Sequence, residues 1–107
     1  NPDFPYVLHG AASLPPELIT ACNDQGGQVD YLRNCCEESI ARAVKTGVRK
    51  VNMDVDNFLV FTTAVRKFLN DKPDIYDPRK YLQPATEAFQ KEVEHKMKEV
   101  LDSAGRY

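Results

Sequence analysis

The chain has 107 residues, with 14 Lys plus Arg against 16 Asp plus Glu, a formal net charge of −2 and 42% hydrophobic residues. This balance excludes compositional disorder, and the interspersed charges offer no one-sided cationic surface for nucleic acid or anionic lipid. The longest apolar run, around Phe58-Leu59-Val60-Phe61, falls far short of the ~20 residues that cross a bilayer, so neither nucleic acid nor a membrane is an expected partner.

Asn1-Pro2-Asp3-Phe4-Pro5 carries no basic segment and no apolar signal core, so the expected location is the cytoplasm. Pro5-Tyr6-Val7-Leu8 reads as a short buried strand stopped by a turn at His9-Gly10, and this abrupt opening reads as a cut in a longer chain. Ala11 to Pro16 is a loop, with Ser13 or a neighbour expected to cap a helix over about Glu17 to Asn23 that Pro16 can open. Gly26-Gly27 ends that helix, and Gln28 to Asn34 forms a polar connection. A second helix starts near Cys36, with Glu37 and Glu38 in its first turn, Lys45 in its last and Gly47 just beyond. Cys22, Cys35 and Cys36 are odd in number and lack CxxC spacing, which suits reduced thiols packed as small hydrophobes.

Val48 to Asp54 alternates as a strand would, placing Val48, Lys50, Asn52 and Asp54 on one polar face. Buried without partners, such groups cost about 1–3 kcal/mol each, so this face needs either partners or a function. Phe61, Val65, Phe68 and Leu69 mark a helix that stops at Asn70-Asp71-Lys72-Pro73. Tyr76-Asp77-Pro78-Arg79 reads as a turn, and a last helix from about Pro84 to Asp102 buries Phe89, Val93, Met97, Val100 and Leu101.

The fold class is therefore α/β, with two consecutive parallel βα units followed by C-terminal helices. Two parallel strands cannot close a sheet, so the chain is expected to belong to a larger α/β sheet or barrel. Residues 1–71 would hold its last two βα units and residues 72–107 a C-terminal arm and helix.

Ligands of parallel α/β proteins bind at the carboxyl ends of the strands. His9-Gly10 ends the first strand, and Asn52 with Asp54 ends the second. Each has a structural alternative: His9 as a satisfied core histidine, Asp54 or Asp56 as a cap of the following helix. Lys50, on the Asn52 face, is either a Schiff-base nucleophile or half of a structural ion pair. His95, among Lys91, Glu92, Lys98 and Glu99, is expected on the solvated side of the last helix without a role.

Leu8-His9-Gly10-Ala11, Lys50 to Asp56, Phe61 to Arg66 and Tyr76 to Leu82, in this order, resemble the C-terminal third of class II, metal-dependent fructose-bisphosphate aldolases. The resemblance extends through Ser13-Leu14-Pro15-Pro16-Glu17-Leu18 to Ser103-Ala104-Gly105 and implies the last two strands of a (β/α)8 TIM barrel. It implies His9 as a zinc ligand, Gly10 beside the substrate phosphate, Asn52 and Asp54 lining the dihydroxyacetone-phosphate site, and Arg79 reaching the second phosphate of a neighbouring subunit. It further implies a homodimer or higher homo-oligomer acting on a phosphorylated sugar in glycolytic carbohydrate metabolism. In such enzymes zinc neutralises the enediolate charge as a Lewis acid. About three protein ligands are needed, so the remainder of the barrel must complete the site. Three positions depart from the family pattern: Ala12 and Val55 stand where hydroxyl residues are usual, and Phe58 where Arg is frequent. All three bear on phosphate recognition, which is therefore expected to be altered. The alternative is a non-catalytic relative in which this region serves barrel closure and subunit contact.

Overall fold

The computed structural model describes residues 3–30 and 35–106; the second half of the polar connection expected over Gln28 to Asn34 lies outside them. The elements are β1 (Tyr6–Leu8), α1 (Pro16–Asp24), α2 (Glu37–Val44), β2 (Val48–Val51), α3 (Val55–Asp71) and α4 (Pro78–His95), which runs on into a π-helical turn, Lys96–Val100. β1 and β2 pair in parallel with Tyr6 opposite Val48, Val7 opposite Lys50 and Leu8 opposite Val51; the irregularity between Tyr6 and Val7 leaves Arg49 as an extra residue on β2. Bonds from Tyr6 N–H to the Gly47 carbonyl (3.1 Å) and from Asn52 N–H to the Leu8 carbonyl (2.8 Å) extend the pairing at both ends.

Two small cores flank this sheet. Ala12, Leu14, Cys22 and Leu59 form one beneath α1 and α3, and Ala11, Ile40 and Val100 form the other between α2, β2 and the π turn. α3 packs along α4, where Ala85 is fully buried and the Phe61 and Phe89 rings meet edge to face with centroids 6.5 Å apart. The radius of gyration is 16.0 Å, against ~13 Å for a compact domain of this length, because the described chain is elongated, with extents of 58 × 31 × 17 Å; Phe4, Tyr6 and Val7 beside the two-stranded sheet are exposed. None of the described helices is long and apolar enough to cross a membrane.

Three local expectations change. The last helix begins at Pro78, six residues before the expected Pro84. Both prolines suit a first-turn position, and Pro78 takes it because Asp77 caps the helix, its side chain accepting from the Arg79 N–H at 3.0 Å. Pro84 is left inside α4, where a proline costs about 3 kcal/mol, in a helix that packs along α3. Ser13 does not cap α1, whose N-cap is Pro15 without any side-chain bond. Neither Asp54 nor Asp56 caps α3 through its side chain, although Asp54 is the N-cap residue.

Ser13 and Asp56 instead meet Lys96. This lysine begins the π turn, is only 2% exposed, and directs its three ammonium protons to Asp56 Oδ2 (2.7 Å), Glu37 Oε1 (2.6 Å) and Ser13 Oγ (3.0 Å). Glu92 Oε1 lies 3.2 Å from the same nitrogen without a hydrogen bond of its own. Asp56 also accepts from the Ser13 hydroxyl and, at 2.9 Å, from the Leu14 N–H. Leu14 has φ +38°, a left-handed conformation that costs an L residue about 1–2 kcal/mol, and its bond to Asp56 helps hold it there. Lys96 and Val100 lie in the interior, while Met97, expected inside, is exposed.

Burial drives the Asp56 carboxyl up, but hydrogen bonds from Lys96, Ser13 and the Leu14 N–H outweigh it and leave the group below the ordinary carboxylate value. Glu37 is likewise pushed up by burial and brought below its ordinary value by bonds from Lys96 and His95. Burial pushes Lys96 down, and the bonds to Asp56 and Glu37 hold it above the usual lysine value. The stability from the carboxylates is present above about pH 4 and is lost as pH falls through their lowered folded values. That from Lys96 is complete below about pH 10.4 and is lost as pH rises through its raised value.

Thermal unfolding of the whole protein followed against pH is therefore expected to show a plateau between these limits, and Lys96→Met should remove the lysine's share of the alkaline decline. The same substitution leaves Asp56 buried and unpaired and is expected to cost about 3–5 kcal/mol in denaturant unfolding; a loss under about 1 kcal/mol would refute the pair as the fastening of the fold.

Candidate functional site

The two strands end side by side because their register is parallel, and the residues following each strand meet. Asn52 Nδ2 lies 2.9 Å from His9 Nδ1, joining the tips of β1 and β2 through their side chains. Gly10 follows with φ +60°, a left-handed turn that glycine adopts freely, and the Ala11 N–H then donates to the Asn52 carbonyl at 3.0 Å. The chain after β1 is thereby folded back over the chain after β2. A groove of about 330 Å³ forms there, lined by Gly10, Val51, Asn52, Met53 and Asp54.

Four of the expected site residues, His9, Gly10, Asn52 and Asp54, are thus brought together. His9 is exposed, as is Asp54, whose carboxylate makes no capping bond to α3. Because Asp56 occupies itself with Leu14, Ser13 and Lys96, Asn52, Asp54 and Asp56 divide the work: two face the groove and one anchors the loop. Lys50 is exposed on β2. Arg79 lies apart from the cluster: its guanidinium lies on Asp77 at 2.8 Å at the start of α4, and it lines neither of the two grooves that meet at Gly10.

A second, larger groove of about 770 Å³ opens on the other side of Gly10, between the loop after β1 and the start of α3. Ala12, Val55 and Phe58 all line it, with Thr62 and Arg66 farther along α3. The three positions that the resemblance marks as departures, scattered in sequence, therefore line one groove.

His95 does not lie free on the solvated side. Its Nε2 is 3.0 Å from both carboxylate oxygens of Glu37, and the residue is half-buried. Glu37, Glu92 and His95 place candidate ligand atoms within 4.8 Å of one another. The cation these carboxylates face is the Lys96 ammonium, which is why their chemistry is that of an ion-pair network. Neither Asp56 nor Lys96 was legible as a partner in the sequence. The available signal was the spacing Val93, Lys96, Val100, which puts the lysine on the apolar stripe of its helix.

The donor set at the strand ends fits part of a metal centre. A catalytic zinc ion takes about three protein ligands and an open position, and His9 can fill one such place with a neutral imidazole. Asn52 controls which nitrogen is available. Donating to Nδ1, its amide leaves the imidazole proton on Nε2; with the carboxamide turned to accept from Nδ1–H, the Nε2 lone pair is free.

A family model described as fructose-bisphosphate aldolase class-II matches residues 2–106. Among curated proteins, the chain is 47% identical over 105 residues to a fructose-bisphosphate aldolase of Treponema pallidum (strain Nichols), a match covering 98% of this chain and 32% of that protein. It is 41% identical over 102 residues to a fructose-bisphosphate aldolase of Thermus caldophilus, covering 95% and 33% respectively. A fructose-bisphosphate aldolase 2 of Cereibacter sphaeroides is 36% identical over 105 residues, covering 98% and 29%. The chain spans about a third of the length of these relatives, in keeping with a C-terminal piece. Its paired parallel strands and trailing helices are the last two βα units and C-terminal helices of a (β/α)8 barrel. By this match over nearly its whole length, the chain belongs to the class II fructose-bisphosphate aldolase family.

Proposed function

We propose that this chain, completed by the rest of its barrel, takes part in zinc-dependent, reversible aldol cleavage of a ketose bisphosphate to dihydroxyacetone phosphate and an aldehyde. The observation that carries the reading is the contact between His9 and Asn52 at the adjoining carboxyl ends of two parallel strands, with Asp54 lining the same groove as Asn52 and Gly10. His9 would hold the metal together with ligands from outside this chain. When bound, zinc supplies Lewis-acid neutralisation of the negative charge left on the substrate oxygens as the C3–C4 bond breaks.

The chain's own residues bind and orient. Asn52 fixes the imidazole tautomer and presents an amide to the hydroxyl-bearing substrate carbon. Asp54, its carboxylate not spent on a cap, accepts hydrogen bonds from the substrate next to Gly10. Gly10 lets the backbone approach the phosphate, since a side chain at φ +60° would be strained. Arg79, exposed and oriented by Asp77, serves the second phosphate of a neighbouring subunit in a homodimer or higher oligomer. The free thiols of Cys22, Cys35 and Cys36 suit a reducing compartment, and the reading places the enzyme in the cytoplasm.

Ala12 and Val55 lack the hydroxyls that the resemblance assigns to the family's phosphate cradle, and with Phe58 they give the larger groove apolar lining. Phosphate recognition is weakened accordingly, since a hydrogen bond to a charged group contributes about 1.5–3 kcal/mol.

Metal analysis of the whole protein is expected to find stoichiometric zinc that is lost in His9→Ala, with kcat/KM for fructose bisphosphate falling about 1000-fold, equivalent to about 4 kcal/mol of charge stabilisation. A metal-free wild-type protein with an intact oligomer would overturn the reading. Lys50→Met is expected to retain turnover within about threefold, well under the 1.4 kcal/mol that a tenfold change represents, and borohydride should trap no adduct. Val55→Thr is expected to lower KM for fructose bisphosphate about tenfold by restoring a hydrogen bond to phosphate; an unchanged KM would remove the proposed link between this groove and phosphate binding.

A further inference from the structure

The loop that follows His9 is held at both ends. Ala11 N–H bonds the Asn52 carbonyl at one end, and Leu14 N–H bonds Asp56 at the other, with the Ser13 hydroxyl also on Asp56. Lys96 closes this arrangement from the far end of the chain, 83 residues beyond Ser13 and 40 beyond Asp56, and contacts both. One ammonium thus ties the loop after β1 to the start of α3, the two segments whose neighbouring residues form the candidate groove.

We propose that Lys96, acting through Asp56 and Ser13, is a positioning residue that clamps the Gly10–Leu14 loop in the shape that receives the substrate phosphate. The assignment to phosphate rests on the functional reading above; the clamp itself rests on the geometry. Lys96 touches no reacting atom. Without its charge, Asp56 becomes a buried carboxylate lacking a counterion and must take up a proton or turn toward water. Either change weakens its hold on the Leu14 N–H, which keeps Leu14 in a left-handed conformation. The disturbance falls on the part of the loop beyond Gly10, whereas His9 is tied separately to Asn52. Phosphate contacts act alike on the bound substrate and the transition state, so their loss is read in KM more than in kcat.

The test compares the whole protein with Lys96→Met, Lys96→Arg and Ser13→Ala. Lys96→Met is expected to raise both KM for fructose bisphosphate and the inhibition constant of inorganic phosphate about tenfold, a size typical of misplaced binding groups, with kcat within about threefold and zinc content unchanged. Lys96→Arg keeps the charge and should restore both constants to within about threefold of the wild type. Ser13→Ala, a milder change that keeps the Lys96–Asp56 pair, should move both constants in the same direction by about threefold and decides the matter if Lys96→Met does not fold. Amide exchange over Gly10–Leu14 should quicken in Ser13→Ala and Lys96→Met. Unchanged constants in the folded variants, a joint fall of kcat and zinc content at constant KM, or failure of Lys96→Arg to rescue would each overturn the proposal. If the wild-type protein cleaves no ketose bisphosphate, the functional reading fails on its own; quickened loop exchange in Ser13→Ala then supports the clamp, and unchanged exchange overturns it.

Discussion

An ammonium group withdrawn from water must be met by carboxylates and by enough acceptors for its three protons. Lys96 finds these in Asp56, Glu37 and Ser13, contributed by three separate segments that the barrel topology brings together. Broken on one side, such a buried set leaves an uncompensated charge, which is far more costly than the pair's net contribution. The loop after β1, the first turn of α2, the first turn of α3 and the end of α4 are consequently constrained by one point charge. Apolar packing around it is modest: the two buried clusters hold only a few small and branched residues each, so the polar centre takes a large part in setting how these segments meet.

From that constraint the site follows in short steps. Parallel pairing aligns the carboxyl ends of β1 and β2, the Gly10 turn folds the chain back, and Asn52 reaches His9. Asp56 is engaged with the Leu14 N–H and Lys96, and the Asp54 carboxylate, without a capping bond, lines the groove. The same loop forms a wall of the larger groove through Ala12, where it faces Val55 and Phe58.

The exposed aromatic and aliphatic residues of the sheet have a consistent place in this picture. Phe4, Tyr6 and Val7 on β1 and its approach, and Val55 and Phe58 on α3, are open to solvent in a chain that covers about a third of the length of its relatives. Surfaces of this composition suit contact with the neighbouring βα units of a closed barrel.

The local physics of the sequence determined the order of strands and helices, the parallel βα architecture, the family motifs and the placing of His9, Asn52 and Asp54 at strand ends. Each of these depends on periodicity or on residues a few positions apart: alternation over Val48 to Asp54, proline at Pro16, glycines after α1, and a histidine followed by glycine. The choice between Pro78 and Pro84 as the start of the last helix was not legible, because both satisfy the same local rule and only the Asp77 cap together with packing on α3 separates them. Nor was the fate of Ser13, Asp56, His95 and Lys96, which local rules assign to caps and solvated faces. Their partners lie 40 to 83 residues away, and whether a charged side chain is buried depends on whether the fold brings an opposite charge within reach, a condition that tertiary structure alone supplies.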